Sequence, residues 1–327
     1  MKRFLGLIAA LALAACAAPR VELPAEPQPA GPAIKLQAVA VPLDTRDPAR
    51  DRIGGFAYAG GLAITSPDNA LFHGLSDMKI TPEGVLVAVT DFGDLVEMRM
   101  DFDPAGRLVG VTDGKMWPLK GPDGQAVQGK AQADAEGLAI LANGDRLVSF
   151  ERDHRIWRYP AAGGPPVVAP MPANLFSDNE GMEALTQYPV AGPDAYLVGS
   201  EEGEVWLCRL AAACQAFSVL ALPDLDFALT AFAAFGDGSL VTIHRAYDPV
   251  RGARGLISIY TAAALKRRTP LPVATMMLDG SLTRDNFEGV ALVTGPGGVS
   301  RILILSDDNK SASQRTLLMA FDWTPGR

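Results

Sequence analysis

Short runs of apolar residues alternate with polar or glycine-rich turns along most of this chain, and this pattern predicts β-strands. Residues 286–308 show it most clearly: two apolar runs flank the turn at 295–298, and the second run ends at Asp307 and Asp308. Apolar runs of this length, rich in Val, Ile and Leu and joined by glycines, indicate two antiparallel strands. We therefore expect a hairpin that carries its acidic residues at the open end.

The hairpin pattern recurs in four further segments, and the copies start roughly 45 to 60 residues apart. They are residues 75–92, 135–152, 179–202 and 229–245. A repeat of this length with several short strands is typical of a β-propeller with one blade per copy. The pattern predicts an all-β fold of five to six blades. One of the unpaired apolar runs at 36–43 and 56–65 closes the ring against the last blade, or both help to build a sixth.

Polar residues stand at the open end of each hairpin when the copies are aligned. The first run opens at Ser76/Asp77, Glu136, Glu180, Leu229/Thr230 or Glu288. The second run ends at Asp91, Glu151, Glu201, His244 or Asp307. The start of one strand lies beside the end of its antiparallel neighbour, and the first strand of each propeller blade lines the central axis. We therefore expect these side chains to converge at one mouth of the channel.

The N-terminus has the features of an export signal. Lys2 and Arg3 precede an apolar run at 4–15, which is too short to span a bilayer and ends directly before Cys16. This arrangement is typical of a bacterial lipoprotein, so we predict a signal peptide over residues 1–16 and lipidation of Cys16. An ordinary signal peptide with a chance cysteine is the alternative. The residue after Cys16 is not aspartate, which favours a periplasm-facing lipoprotein of the outer membrane.

The remainder of the chain divides into residues 17–35 and 36–327. The first segment is rich in Pro and Ala, which predicts an extended tether, and the second is long enough for one large β domain. Hydrophobic residues make up 48% of the chain and charged residues 20%, with 33 Gly and 25 Pro, a balance typical of a turn-rich folded protein. The net charge of −8 argues against nucleic acid as a partner. We expect a monomer that contacts the membrane through its lipid alone.

Cys208 and Cys214 flank a short segment between two apolar runs. In an oxidising periplasm, a short loop that joins neighbouring strands can bring two sulfur atoms within bonding distance. We expect a disulfide that closes this hairpin, with two buried free thiols as the alternative.

A converging set of carboxylates repels itself, and the repulsion is relieved by protonation, by neighbouring cations or by a metal ion. Ca²⁺ suits such a site because it accepts six to eight oxygen ligands in loose geometry. The predicted metal ligands are Asp91, Glu151, Glu201, Asp307 and Asp308. A histidine-rich zinc site is disfavoured, because the three histidines are scattered at positions 73, 154 and 244.

Basic residues adjoin the predicted ring of acids. Arg152 follows Glu151, and Arg245 follows His244. A guanidinium beside a bound cation can hold a phosphate or carboxylate, so Arg152, Arg245 and His244 are the predicted substrate-binding residues. Alternatively, the arginines only neutralise neighbouring acids, and the glycines after the glutamates are required because strands crowd around the axis. The ring would then be purely structural.

Three motifs in the last third of the chain stand out: DNFEG at 285–289, SDDN at 306–309 and QRT at 314–316. Together with the earlier Glu-Gly and Phe-Glu-Arg copies, they resemble the bacterial phytase-like family, which is known by the description "esterase-like activity of phytase". The resemblance extends over roughly residues 55–323. It implies an exported β-propeller that hydrolyses phosphoesters or esters.

Two functions fit these observations. The first is a Ca²⁺-dependent hydrolase of small-molecule phosphoesters, with a carboxylester or lactone hydrolase as its variant. The residues predicted to hold metal or activate water in it are Glu136, Glu180, Glu288 and Asp307. The second is a non-catalytic propeller lipoprotein that binds a protein or an envelope ligand, its acidic residues being structural.

Overall fold

The computed structural model describes residues 31–174, 176–177 and 181–324. The chain begins with β1 (Gln37–Ala40), β2 (Arg52–Ile53) and β3 (Phe56–Thr65). The first blade contains β4 (Leu75–Ile80), β5 (Val85–Thr90), β6 (Asp94–Phe102) and β7 (Leu108–Pro118). Helix α1 (Lys130–Ala133) precedes the second blade, which contains β8 (Ala135–Ile140), β9 (Arg146–Phe150), β10 (Arg155–Tyr159) and β11 (Val167–Ala169).

The other three blades follow in order. The third contains β12 (Ala184–Gln187), β13 (Ala195–Gly199), β14 (Glu204–Arg209) and β15 (Ala212–Val219). The fourth contains β16 (Ala228–Ala234), β17 (Leu240–Asp248), β18 (Gly252–Tyr260) and β19 (Ala274–Leu278), with helix α2 (Ala262–Leu265) after β18. The last contains β20 (Asn286–Thr294), β21 (Ser300–Asp307) and β22 (Thr316–Trp323). Short 3₁₀ turns lie at Pro189–Ala191 and Pro296–Gly298.

Each blade is a separate antiparallel sheet in which strands adjacent in sequence are adjacent in space. The first strands of the blades, β4, β8, β12, β16 and β20, contact one another in a closed cycle. These five strands therefore surround the central axis. The structure confirms the predicted propeller and gives it five blades.

The two ends of the described chain meet in the last blade. β3 pairs antiparallel with β22, with Leu62 opposite Leu318, and β1 adds outside β3. The run at 56–65 therefore closes the ring, as expected, and no sixth blade forms from the described residues. Closure by hydrogen bonds between the first and last strands locks the ring and leaves β22 without an unpaired edge.

Apolar side chains of neighbouring blades form the core. Leu75 and Met78 of the first blade, for example, pack in one cluster with Leu303 and Leu305 of the last. Because both faces of a blade are covered, its middle strands are apolar at consecutive positions, and residues 86–89 of β5 are all fully buried. Each fully buried Leu or Val side chain contributes about 1.5–3 kcal/mol relative to an exposed one.

The first strand of four blades carries a register shift near its start. The shifts lie between Leu75 and Asp77, Ala135 and Leu138, Leu229 and Ala231, and Phe287 and Gly289. A bulge of this kind inserts an extra residue and re-aims its side chain. The inserted residues include Ser76, Glu136, Thr230 and Glu288, which are the positions that the aligned repeats single out.

Packing at the N-terminal side begins within the predicted tether. Ile34 is buried, and its backbone N–H donates to the carbonyl of Gly114 in β7. The predicted signal peptide, Cys16 and residues 17–30 lie outside the described residues. None of the described helices is long and apolar enough to cross a membrane. Cys208 and Cys214 form a disulfide across the β14–β15 hairpin, with Cα atoms 4.1 Å apart.

Candidate active site

Acidic side chains from four blades gather at one end of the channel. The strand pairing produces this arrangement, because it places Ala135 opposite Phe150 and Asn286 opposite Asp307. Each first strand therefore starts where the second strand of the same blade ends. We name this group the carboxylate mouth, and its members are Asp91, Asp134, Glu136, Glu151, Glu183, Glu201, Glu288 and Asp307.

Arg245, in the second half of β17 in the fourth blade, lies among these acids. Its Nε atom lies 3.1 Å from Glu288 Oε1, and its Nη2 atom lies 3.9 Å from Glu201 Oε1. Burial alone lowers the pKa of Arg245, but the charges of Glu288 and then Glu183 outweigh it, so the pKa is raised. The one blade without an acid at the mouth thus supplies its central cation.

Burial and mutual repulsion keep protons on several of these acids. Burial raises the pKa of Glu288 to about 7, although Arg245 beside it acts in the opposite direction. Burial, and then the charge of Glu288, raise the pKa of Asp307 to about 9. Burial and the charge of Glu183 raise the pKa of Glu136 well above its ordinary range. The mouth therefore contains more carboxyl groups than its own cations can hold in the ionised form.

The second blade holds the tightest cluster. Asp134, Glu136 and Glu151 each offer a carboxylate oxygen, and these oxygens lie within 4.8 Å of one another. Lys130 Nζ lies 2.5 Å from Asp134 Oδ1, and Arg152 Nε donates to Asp134 Oδ2 over 2.7 Å. Glu136 and Glu151 form no ion pair with a side chain in the part of the chain that the structure describes. A set of closely spaced carboxylate oxygens is the donor set that Ca²⁺ prefers, so these residues fit such an ion.

Asp91, which shares Lys130 with Asp134, also has an incomplete set of partners. Lys130 Nζ donates to Oδ2 of Asp91 over 2.8 Å, but the buried Oδ1 of Asp91 accepts no hydrogen bond from the described residues. A buried carboxylate oxygen without a partner is costly. Burial is the main cause of the raised pKa of Asp91, ahead of its contacts with Lys130.

Most of the predicted site residues meet at the carboxylate mouth, where Asp91, Glu136, Glu151, Glu201, Glu288, Asp307 and Arg245 are all found. Glu180 lies outside the described residues. Arg152 lies at the rim and pairs with Asp134.

Two predicted residues have other surroundings. His244 is only 1% exposed, both of its ring nitrogens lack a hydrogen-bond partner among the described residues, and burial lowers its pKa to about 4. Asp308 holds a loop, because its carboxylate accepts hydrogen bonds from the backbone N–H of Gly74 and the hydroxyl of Thr316, each over 3.1 Å.

Three residues of the site were missed by the sequence analysis. Glu183 is the second acid of the segment EGME and directly precedes β12, so a different alignment of the third copy would have found it. Asp134 lies two residues before Glu136, just ahead of β8. Lys130 lies on the short helix α1, and nothing in the repeat pattern indicates its position.

The glycines that follow the glutamates have a structural role. A Cβ atom on Gly137 would lie 2.7 Å from the carbonyl oxygen of Glu183 in the next blade. One on Gly289 would lie 3.1 Å from the backbone nitrogen of Met78. Close approach of neighbouring backbones around the axis therefore requires glycine at these positions.

Two solved structures resemble the fold of this chain. A candidate gluconolactonase is 11% identical with a TM-score of 0.46, and the match covers 91% of this chain and 96% of that one. The major allergen Mala s 1 of Malassezia sympodialis is 11% identical with a TM-score of 0.48, and the match covers 85% of this chain and 92% of that one. None of the curated proteins compared with the chain is significantly similar to it.

A protein-family model matches residues 70–310, and its description is "Esterase-like activity of phytase". The match contains the first strands of all five blades and every member of the carboxylate mouth. Together with the buried acidic cluster, it suggests a metal-dependent activity. The chain belongs to the phytase-like family.

Proposed function

We propose that this protein is a metal-dependent hydrolase of small-molecule phosphoesters and that the reaction takes place at the carboxylate mouth. The excess of acid there supports the proposal. Eight carboxylates from four blades face three basic side chains of the described residues, Lys130, Arg152 and Arg245. The family description, which names phytase, points to the same class of bond.

Ca²⁺ is the proposed metal, and Asp134, Glu136 and Glu151 are the residues that would hold it. When bound, such an ion polarises a phosphoryl oxygen and lowers the pKa of bound water. Lys130 and Arg152 already hold Asp134 in place, so the cluster is positioned before any ion arrives.

Two acids with different pKa values suit the proton transfers. Glu288, with a pKa of about 7, is partly ionised near neutral pH and can accept a proton from the attacking water. Asp307, with a pKa of about 9, remains protonated and can donate to the leaving oxygen. Arg245, 3.1 Å from Glu288, is placed to stabilise negative charge on the transferred group.

Phosphate release from phytate and from an aryl phosphate, measured with Ca²⁺ and then with chelator, tests this proposal. We expect release that depends on Ca²⁺ and falls by 100-fold or more in Glu288→Gln and in Asp307→Asn, a typical loss for a general base or acid. Glu83→Gln, in the turn that follows β4 at the end away from the mouth, is the matched control and should be fully active. The value of kcat/KM should rise as the pH passes about 7 and fall as it passes about 9.

Full activity in both variants, or release that is indifferent to the chelator, would contradict the proposal. A carboxylester or lactone bond is the second candidate, because the family description names esterase-like activity. Hydrolysis of an aryl acetate but of no phosphoester would establish it. A folded protein that hydrolyses neither class would leave the non-catalytic binding propeller as the function.

A further inference from the structure

A cavity of about 650 Å³ adjoins the carboxylate mouth. It is formed by the end of β17, the start of β18 and the loops around β20 and β21. We name it the arginine cavity, because its lining includes Arg245, Arg284 and Arg315, together with Asn286, Asn309 and Tyr247. All of these side chains can donate hydrogen bonds.

Arg284 keeps its positive charge uncompensated. Its Nη1 atom donates to the carbonyl of Gly280, and its Nη2 atom donates to the carbonyl of Arg251 over 3.1 Å. These neutral acceptors fix the orientation of the guanidinium but do not cancel its charge. No carboxylate forms an ion pair with Arg284 within residues 31–174, 176–177 and 181–324.

Arg315 is only partly neutralised. Its Nε atom lies 3.4 Å from Asp285 Oδ2, and 44% of its side chain remains exposed. Asp285 is the one carboxylate among the described residues that line the cavity, and it faces both Arg284 and Arg315. Arg245 is shared with the carboxylate mouth, where it pairs with Glu288. The lining of the cavity away from the mouth therefore carries an excess of positive charge.

The same residues connect the two sites. Asn286 Nδ2 donates to Glu288 Oε1 over 2.7 Å, and Arg245 Nε lies 3.1 Å from the same oxygen. The backbone N–H of Asn309 donates to Asp307 Oδ1 over 2.7 Å. A ligand held in the cavity would therefore lie directly beside Glu288 and Asp307.

We propose that the arginine cavity binds an oxyanion of the substrate, a phosphate or a carboxylate, that is separate from the bond cleaved at the carboxylate mouth. The planar guanidinium matches both kinds of oxyanion with paired N–H donors. That this oxyanion belongs to a substrate rests on the proposed function, whereas the binding of an oxyanion by the cavity does not. The substrates of such a site carry at least one anionic group in addition to the reacting ester.

Calorimetry on the purified full chain with inorganic phosphate, and separately with succinate, tests oxyanion binding without any turnover. We expect the Arg284→Ala, Arg315→Gln double variant to bind at least tenfold more weakly, and Arg284→Lys to lose less because it keeps the charge. Arg268→Ala is the matched control, since Arg268 is an exposed arginine beyond α2 at the opposite end of the blade. Unchanged binding of both anions by the folded double variant would overturn the proposal.

Kinetics separate this inference from the proposed function. For carboxyphenyl phosphate, which carries a free carboxylate besides the reacting phosphoester, KM should rise about tenfold in the double variant with kcat unchanged. For phenyl phosphate, which carries no further anionic group, KM should not change. An equal rise for both phosphoesters would overturn the assignment of the cavity to an additional anionic group. If no phosphoester is hydrolysed but phosphate binds through Arg284 and Arg315, the proposed function fails and the oxyanion site stands.

Discussion

Buried acids lie at two places along the same channel, and they are neutralised in different ways. Asp77, in the first blade, is fully buried, and both of its oxygens contact Lys79 Nζ, at 2.7 and 2.6 Å. The same oxygens also accept hydrogen bonds from the backbone N–H groups of Met78 and, in the next blade, Leu138. Lys79 in turn donates to the carbonyl of Val290 in the last blade. This pair joins three blades.

Glu288 and Asp307 at the carboxylate mouth have no such set of partners. Glu288 shares Arg245 with other acids, and Asp307 accepts a backbone N–H from Asn309 but lies near the charge of Glu288. Burial of an acid on the axis therefore does not identify it as functional. A completed set of partners, as at Asp77, indicates a structural role, whereas an incomplete set indicates a place for a ligand.

Removal of the cation of the structural pair should have the largest effect on stability. Lys79→Met leaves Asp77 buried without its charge partner, and loss of one member of a buried pair costs about 3–5 kcal/mol. Chemical denaturation should show this loss in the free energy of unfolding, while Lys115→Met, on the exposed side of β7, changes little. Turnover per folded molecule should be retained. A stability loss below about 1 kcal/mol would mean that the pair does not hold the blades together.

The charged groups of the carboxylate mouth should destabilise the fold rather than stabilise it, and the dependence of stability on pH tests this. The folded-state pKa values of Glu288 and Asp307, about 7 and about 9, lie above the ordinary values of 4.5 and 3.8. The folded state therefore retains protons that the unfolded state has released. In chelator, the free energy of unfolding should fall as the pH rises from about 4 to about 9.

Glu288→Gln isolates the contribution of one carboxylate to this fall in the free energy of unfolding with pH. At pH 8 in chelator the variant should be more stable than the natural protein by on the order of 2 kcal/mol, because it removes a carboxylate that burial disfavours. A free energy of unfolding that rises with pH in chelator over this range would contradict the raised pKa values of Glu288 and Asp307.

Ca²⁺ at a hundred times its Kd at pH 8 should stabilise the natural protein at that pH by about 2.7 kcal/mol. The same Ca²⁺ concentration should stabilise it less at pH 5.

The repeat pattern allowed the propeller, its closure and the end of the channel that carries the acids to be predicted. It could not tell which side chain at each blade faces the channel. His244 and Arg245 are consecutive residues of β17 and so point to opposite faces of the blade, and the aligned repeats do not tell which of the two contacts the acids. Glu183 was missed because the third copy is shifted relative to the others. Lys130 belongs to a turn between blades, which only the folded arrangement brings to the mouth.

Thr230 provides the smallest and most specific test of the difference between axial residues with complete partners and those without. It lies at the bulge of the fourth blade, the position that Glu288 occupies in the last, but its hydroxyl donates to the carbonyl of Phe287 over 3.2 Å. Thr230→Val keeps the shape and removes this one hydrogen bond between blades, so the free energy of unfolding should fall by about 1 kcal/mol. The loss should be the same at pH 5 and pH 8, with or without Ca²⁺, because no charge is involved. A loss that varied with Ca²⁺ would mean that Thr230 contributes to ion binding as Glu288 does. Axial residues with complete hydrogen bonding would then not differ in role from the acids of the carboxylate mouth.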